Sequence, residues 1–180
     1  GKSWVGYAVD KKGGEGLYRP LLWTDGTPEV LPMPEKGFRE QELTTGVMAR
    51  GISANGEIIY GTSWENWDFG MLYWVNNGAN TEKPKWVGED VREVWEETMK
   101  MSDGTEYTTH LVNGLICQAQ LTKISPNGKW IASSYRTETP ADDRISIVTT
   151  QKAAFFNTET ETTVIVEDYG ESVGVHVTDD

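Results

Sequence analysis

The chain has 180 residues, a formal net charge of −12 and 37% hydrophobic residues, with Trp (8) and Tyr (7) dominating the aromatics. A length of this order gives about one domain with a sizeable core. Acidic residues spread along the chain disfavour a DNA or RNA backbone or an anionic membrane surface as partner, because those contacts rest on cationic neutralisation. No apolar run approaches the roughly 20 residues of a membrane span, so membrane insertion is not expected.

The aromatic content and 19 glycines favour packed strands joined by turns over a helical bundle. In chain order, GKSWVGYA (1–8) reads as a turn glycine followed by a strand. The absence of a leading methionine predicts that a leader or a longer precursor has been cut away. KKGGEG (11–16) lacks the P-loop pattern and reads as a surface loop. LLWTDGTPEVLPMPE (21–35) reads as an aromatic strand, a polar turn and a second apolar run.

GVMARGIS (46–53) and EIIYGTS (57–63) are an approach and an exit strand around the turn Ser53-Ala54-Asn55-Gly56. Asn-Gly is the strongest short hairpin signal, because both residues tolerate positive φ. LYWVNNGANTEKPKWV (72–87) repeats the strand, turn, strand pattern of residues 21–35. Residues 89–104, EDVREVWEETMKMSDG, carry helical marks: Asp90 as cap, Val91, Val94, Trp95 and Met99 at helical spacing, and Asp103-Gly104 as stop. A short helical insertion is therefore expected over 89–104, with Glu93, Glu96 and Glu97 on a solvated face.

ICQAQLTKIS (116–125) and KWIASSY (129–135) flank a second turn, Ser125-Pro126-Asn127-Gly128. RTETPADDR (136–144) reads as a loop, and AFFNTETETTVIVED (154–168) matches residues 72–87. GVHVTDD (174–180) is an approach strand that stops where the turn glycine belongs.

Aligning Ser53 with Ser125 places Ile52 on Ile124, Asn55 on Asn127, Gly56 on Gly128, Ile59 on Ile131 and Thr62 on Ser134. Read across the two ends, VTDD and GKSWVGYA complete a third hairpin, with Val177, Thr178 and Asp180 in the Ile, Ser and Asn places. A single repeat domain follows, with units of four short strands at roughly 1–52, 53–124 and 125–180.

At these residues the chain resembles β-propeller repeats. ISPNGKWIASSY looks like the S-P-D-G hairpin of TolB-like propellers. PLLWTDGTPEVLPMP followed by GVMARGISANGEIIYGTS is similar to the HAF-type repeat of bacterial extracellular proteins. The resemblance implies an all-β fold of about three blades, each of four antiparallel strands, and an extracytoplasmic setting, secreted or envelope-associated. It departs from the sialidase Asp-box, since Asn55 and Asn127 stand where that box has Asp and Trp64 falls one place beyond it. A closed propeller needs about four to eight blades. Three units fit a piece of a longer propeller, a homodimer closing a six-bladed ring, or an open array.

The chemistry-bearing residues are sparse. Cys117, in GLICQAQL, reads as a buried structural thiol. His110 and His176 are far apart, and no H-E-x-x-H, Cys-x-x-Cys, G-x-S-x-G or EF-hand pattern is present. No metal site, catalytic residue or cofactor is expected, although Asp142-Asp143 is a possible contributor to a calcium site. In propeller blades the loop after the second strand and the loop between blades share one face. That topology brings Trp64, Trp67 and Trp95 to one side as ligand-binding candidates, their rigid rings suiting a sugar or a protein partner. The alternative is that these rings pack the inserted helix onto the blades. The expected function is a non-enzymatic binding or interaction scaffold. The alternatives are part of a hydrolase or lyase acting on glycan or peptide, or an accessory propeller gating a separate catalytic domain.

Overall fold

The computed structural model describes residues 2–11, 16–63, 70–78, 80–117, 122–167, 170, 172, 174 and 176–179. These residues form antiparallel sheets, so the all-β expectation holds. The first sheet is a meander of β1 (Ser3–Asp10), β2 (Leu17–Thr24) and β3 (Thr27–Val30). Asp25 and Gly26, at φ 51° and 84°, make its tight β2–β3 turn. The second sheet runs β4 (Val47–Ile52), β5 (Ile58–Ser63), β6 (Met71–Val75) and β7 (Lys85–Trp86) in that order.

The third sheet holds β8 (Glu93–Lys100), β9 (Glu106–Ile116), β10 (Lys123–Ile124), β11 (Trp130–Pro140), β12 (Ile147–Asn157) and β13 (Thr162–Ile165). Its order is β13-β12-β11-β9-β8, with β10 also paired to β11. The consecutive strands β10 to β13 thus form a meander like that of β4 to β7.

The two S-x-N-G turns carry the same set of hydrogen bonds. The Ser53 hydroxyl donates to Asn55 Oδ1 (2.5 Å) and accepts from Ile58 N–H (3.0 Å), while Asn55 Oδ1 also accepts from Glu57 N–H (3.1 Å). The Ser125 hydroxyl donates to Asn127 Oδ1 (2.8 Å) and accepts from Trp130 N–H (3.0 Å), and Asn127 Oδ1 accepts from Lys129 N–H (2.9 Å). Gly56 and Gly128 close the turns at φ 80° and 81°. The serine hydroxyl and the asparagine carbonyl thus satisfy amides that the tight reversal would leave orphaned. The turns also touch each other. Asn55 donates its backbone N–H to Pro126 O (3.2 Å) and its side-chain amide to Asn127 O (2.8 Å).

The sheets stack face to face, with the second in the middle. Strand periodicity sends alternate side chains to opposite faces. On one face of the second sheet, Ile59, Leu72 and Trp74 pack with Leu22 and Leu31, and with Val5 of the first sheet. On the other face, Ile58, Tyr60, Met71 and Tyr73 pack with Ile131, Ala154 and Phe156 of the third. A third cluster joins Phe38, Val112 and Ile116, with Trp86 and Val94 against it.

The expected helical insertion is not present. Only Glu89–Val91 makes one 3-10 turn, and Arg92 is already extended. Residues 93–100 are β8, paired with β9 in the register Glu93↔Asn113 to Lys100↔Glu106. Trp95 and Met99 are four residues apart, a spacing that shares a face in a helix and in a strand alike, so the pattern does not separate the two. The strand wins because the β-branched and aromatic run of β9 offers a full ladder. Asp103-Gly104 is the hairpin turn: Gly104 has φ 87°, and Thr105 N–H donates to Asp103 Oδ1 (2.8 Å).

RTETPADDR is likewise mostly strand, as β11 continues to Pro140 and only 141–146 turn back. The expected approach strand 116–125 is reduced to β10, after β9 has ended at Ile116; residues 118–121 lie outside the described residues.

The turn glycines make a stability prediction. An alanine Cβ at Gly56 meets nothing within 4 Å, so Gly56→Ala costs only the left-handed backbone penalty, about 1–2 kcal/mol. At Gly128 the added Cβ lies 2.7 Å from Ile58 Cγ1 and 3.3 Å from Ser53 Cβ, so Gly128→Ala costs more. Urea unfolding midpoints of the two variants check the order.

Candidate functional site

At the rim where the second and third sheets part, a cleft of about 490 Å³ is lined by Tyr73, Pro84, Lys85, Trp86, Glu89, Asp90, Phe156 and Glu161. Its floor follows from strand alternation. Tyr73 and Phe156 project from β6 and β12 into the same gap, with ring centroids 5.6 Å apart and planes tilted by 56°. Both are almost fully buried, whereas Trp86, on the edge strand β7, is half-buried.

The polar rim is built by local turn chemistry. Asn157 Oδ1 accepts from Glu159 N–H (2.9 Å) and Thr160 N–H (3.1 Å), forming an Asx-type turn that ends at Glu161 with φ 53°. This turn brings the Glu161 carboxylate to the Tyr73 hydroxyl, which donates to it at 3.1 Å, and to the Lys85 ammonium, which also pairs with it. Lys85 and Tyr73 together hold the Glu161 carboxyl below the usual carboxylate range. Burial, reinforced by Glu161, pushes the Tyr73 hydroxyl well up, so it stays a donor. Across the cleft, Gly88 at φ 74° sets up the 3-10 turn. There Asp90 accepts from Thr163 N–H and Oγ1, both at 2.7 Å.

Trp86 is shared with a second cleft, of about 420 Å³, lined by Met33, Pro34, Glu35, Lys36, Glu40, Lys83, Pro84 and Arg92. Here the Arg92 guanidinium lies over the rings of Phe38 (5.8 Å) and Trp86 (5.7 Å). Burial opposes its charge, but Glu89 and Glu40 outweigh that and raise its pKa. A third, asparagine-rich cleft of about 370 Å³ opens between the first and second sheets, beside Asn55, Asn76, Asn77 and Asn80.

The most buried charge lies elsewhere, where β9 and β11 diverge. The Glu138 side chain is 1% exposed and is gripped by Arg39 at two points (Nη2 to Oε1 and Nη1 to Oε2, both 2.8 Å), by Arg136, and by Val112 N–H (3.0 Å). Arg39 also donates to His110 O, closing the gap between the two strands. Burial pushes the Glu138 carboxyl up, but Arg39, Arg136 and the Val112 amide outweigh it and hold it below its ordinary value.

Trp95 is placed in β8 opposite Leu111, on the strand face shared with buried Met99, and it does not line the clefts. It is half-buried. Trp64 and Trp67 lie outside the described residues. Cys117 is buried and free, and burial raises its pKa, as an inert structural thiol requires. His110 Nδ1 accepts from the Gln41 side-chain amide Nε2 (3.0 Å). Asp143 Oδ1 caps its own turn by accepting from Ile145 N–H (2.9 Å). Among the described residues, no group of three or more His, Cys, Asp or Glu converges as metal ligands.

The sequence reading missed Tyr73, Trp86, Phe156, Asp90, Glu161 and Glu138. Two signals were available, one for Tyr73 and Phe156 and one for Glu138. LYWV and AFFN each alternate, so Tyr73 and Phe156 face one gap once two sheets are stacked. Arg136 and Glu138, two apart, share a face only if the segment is a strand.

Glu138 has a depressed native pKa, so its stabilisation is complete above its unfolded value near 4.5 and is lost as pH falls through the native value. Replacing it leaves two arginines without their buried carboxylate, so Glu138→Gln lowers stability at pH 7 by about 3–5 kcal/mol. The stability of the variant also falls less steeply below pH 4.5 than that of the parent. Chemical denaturation at a series of pH values reads both effects. No known protein-family model matches the chain, and none of the curated proteins compared with it matches.

Proposed function

We propose that the chain is a non-enzymatic, propeller-type binding scaffold of a secreted or envelope-associated bacterial protein, and that it seats a carbohydrate ligand in the cleft at Trp86. One observation carries the reading. The cleft joins an aromatic floor and wall, Tyr73, Phe156 and Trp86, to carboxylates at Glu161 and Asp90 already fixed by hydrogen bonds. Recognition sites combine mainly apolar, aromatic lining with a few oriented polar groups. A sugar ring presents an apolar face to stack and hydroxyls to donate, and both are met without reordering side chains.

The stacked sheets support the propeller part of the reading. Each meander buries its faces against its neighbours, and the two S-x-N-G turns share one hydrogen-bond set. The glycosidase form of the enzyme reading needs a carboxyl held protonated near neutral pH to act as general acid. Every described carboxyl whose pKa is displaced goes the other way: Glu35, Glu40, Asp103, Glu138 and Glu161 are all lowered. Carboxylates in that state accept hydrogen bonds and do not protonate a leaving group.

Titration calorimetry against a panel of neutral and cationic oligosaccharides tests the proposal. A ligand should bind, and Trp86→Ala and Glu161→Gln should each weaken it about tenfold or more, while Glu106→Gln on β9 leaves it unchanged. Binding that survives both cleft substitutions moves the site elsewhere. Cleavage of the oligosaccharide, abolished by Glu161→Gln, establishes the enzyme reading instead.

A further inference from the structure

Arg39 and Arg136 close on Glu138, Arg92 on Glu40 and Glu89, and Arg144 on Glu97. Arg50 pairs with no carboxylate among the described residues, in a chain where acidic residues outnumber basic ones by 28 to 16. It is half-buried, and its Nε is closed off from solvent with no hydrogen-bond partner. Arg136 Nε is closed off likewise, but that guanidinium already donates to Glu138. The Thr45 and Ser63 hydroxyls in the same state carry no charge. Buried donors in folded proteins have acceptors, so an unpaired one on a charged group points to a role.

The local chain aims Arg50 deliberately. β4 is an edge strand of the second sheet and pairs with β5 alone. Its register jumps from Ala49↔Gly61 to Gly51↔Tyr60, which leaves Arg50 as the extra residue of a bulge. Such an insertion disrupts the ladder by one residue and redirects its side chain. Gly51 permits the arrangement, since an added Cβ there would fall 2.3 Å from Tyr60 Cε1.

The redirected guanidinium meets groups from all three sheets. Its Cζ lies over the ring of Tyr7 on β1, 6.0 Å from the centroid, and Tyr18 holds that ring edge-on at 5.5 Å and 73°. Tyr7 is nevertheless 45% exposed, so a ligand can reach the pair. Behind them, the Tyr60 hydroxyl donates to Thr122 O (3.2 Å), just before β10. Burial pushes the Tyr60 hydroxyl up to about 12 and raises the Cys117 thiol as well, and the charge of Arg50 opposes both rises. The ring contact engages that charge but uses none of the five N–H donors of the guanidinium.

We propose that Arg50 anchors an oxyanion site, taking a carboxylate or phosphate group of a small ligand beside the Tyr7 ring. The guanidinium fork matches two oxygens of either group, and a charge-assisted pair of N–H bonds supplies the acceptor that the buried Nε lacks in the chain. Three strands from different sheets fix the geometry, so the fork is set before the ligand arrives. This site shares no residue with the Trp86 cleft, and its failure leaves the carbohydrate reading untouched.

Nuclear magnetic resonance of the 15N-labelled chain tests it through the Arg50 Nε–Hε signal. Sodium phosphate and sodium acetate are titrated separately at pH 7, with ionic strength held constant by sodium chloride. The Arg50 signal should move saturably downfield, while that of Arg144, already paired with Glu97, stays in place. Arg50→Lys keeps the charge without the fork and should bind the same anion about fivefold more weakly. The anion should also raise the urea midpoint of the parent more than that of Arg50→Met, since general salt effects act on both. A response to acetate alone makes the ligand a carboxylate, and one to phosphate alone makes it a phosphate ester; either keeps the site. An Arg50 signal that neither anion moves, or a stabilisation undiminished in Arg50→Met, would overturn the proposal.

Discussion

The second sheet has no solvent face over β5 and β6, and this constraint organises the rest of the molecule. All six residues of β5 and the first four of β6 are buried. A strand pair apolar on both sides is stable only between two other layers, because each face left in water forfeits about 25 cal/mol for every Å² of apolar surface it fails to bury. The first and third sheets are therefore obligatory partners, and β-structure covers them on both sides where most antiparallel sheets face water on one. Flat stacking of twisted sheets cannot remain close at the rim. The clefts beside Trp86 and beside Asn76 lie at the margins of the stacked sheets, so they are a by-product of the packing that builds the core.

The connection between the first and second sheets does more than link them. Leu31 and Phe38 are each about 1% exposed, and the Phe38 ring lies where a Cβ at Gly70 or Gly114 would stand. Gly70 bridges to Ile116, two residues from Gly114, so the ring is wedged where the second and third sheets meet. Pro32 O accepts from the Trp74 indole (2.8 Å), Phe38 O accepts from Arg92 (2.8 Å), and Arg39 reaches Glu138. A segment with no regular structure thus carries the polar contacts that set how the sheets sit against one another. The charges at its end are worth their desolvation because the bidentate geometry and the Val112 amide satisfy both carboxylate oxygens.

The sheets were legible in the sequence wherever a turn signal and an alternating run coincided. Asn55-Gly56, Asn127-Gly128 and Asp25-Gly26 each lie in a hairpin, and the strands beside them fall within a residue or two of the expected bounds, apart from the long extension of β11 and the curtailed approach at β10. The reading failed at residues 89–104, where a spacing of four satisfies both periods and where the deciding partner, β9, lies beyond the segment, starting at Glu106. It failed again at residues 136–140, where Arg, Thr and Glu look like a surface loop until Arg39, 99 positions away, supplies the charge that allows Glu138 to be buried. The candidate site was less legible than the fold. Its aromatic members were visible as strand residues, but which gap they face depends on sheet stacking, and Glu161 is aimed by an Asx turn that no periodicity announces.

The grip of Arg39 on Glu138 also has a meaning in time. In every sheet here strands pair with neighbours close in sequence and form at small loop-closure cost. The Arg39–Glu138 contact spans more than half of the chain, and it joins elements that are aligned only once all three sheets have stacked. Such a contact adds nothing to the early stages of assembly and acts chiefly against the route out. It therefore serves as a latch, setting how long the stacked state lasts once formed and leaving the speed of its formation almost unchanged.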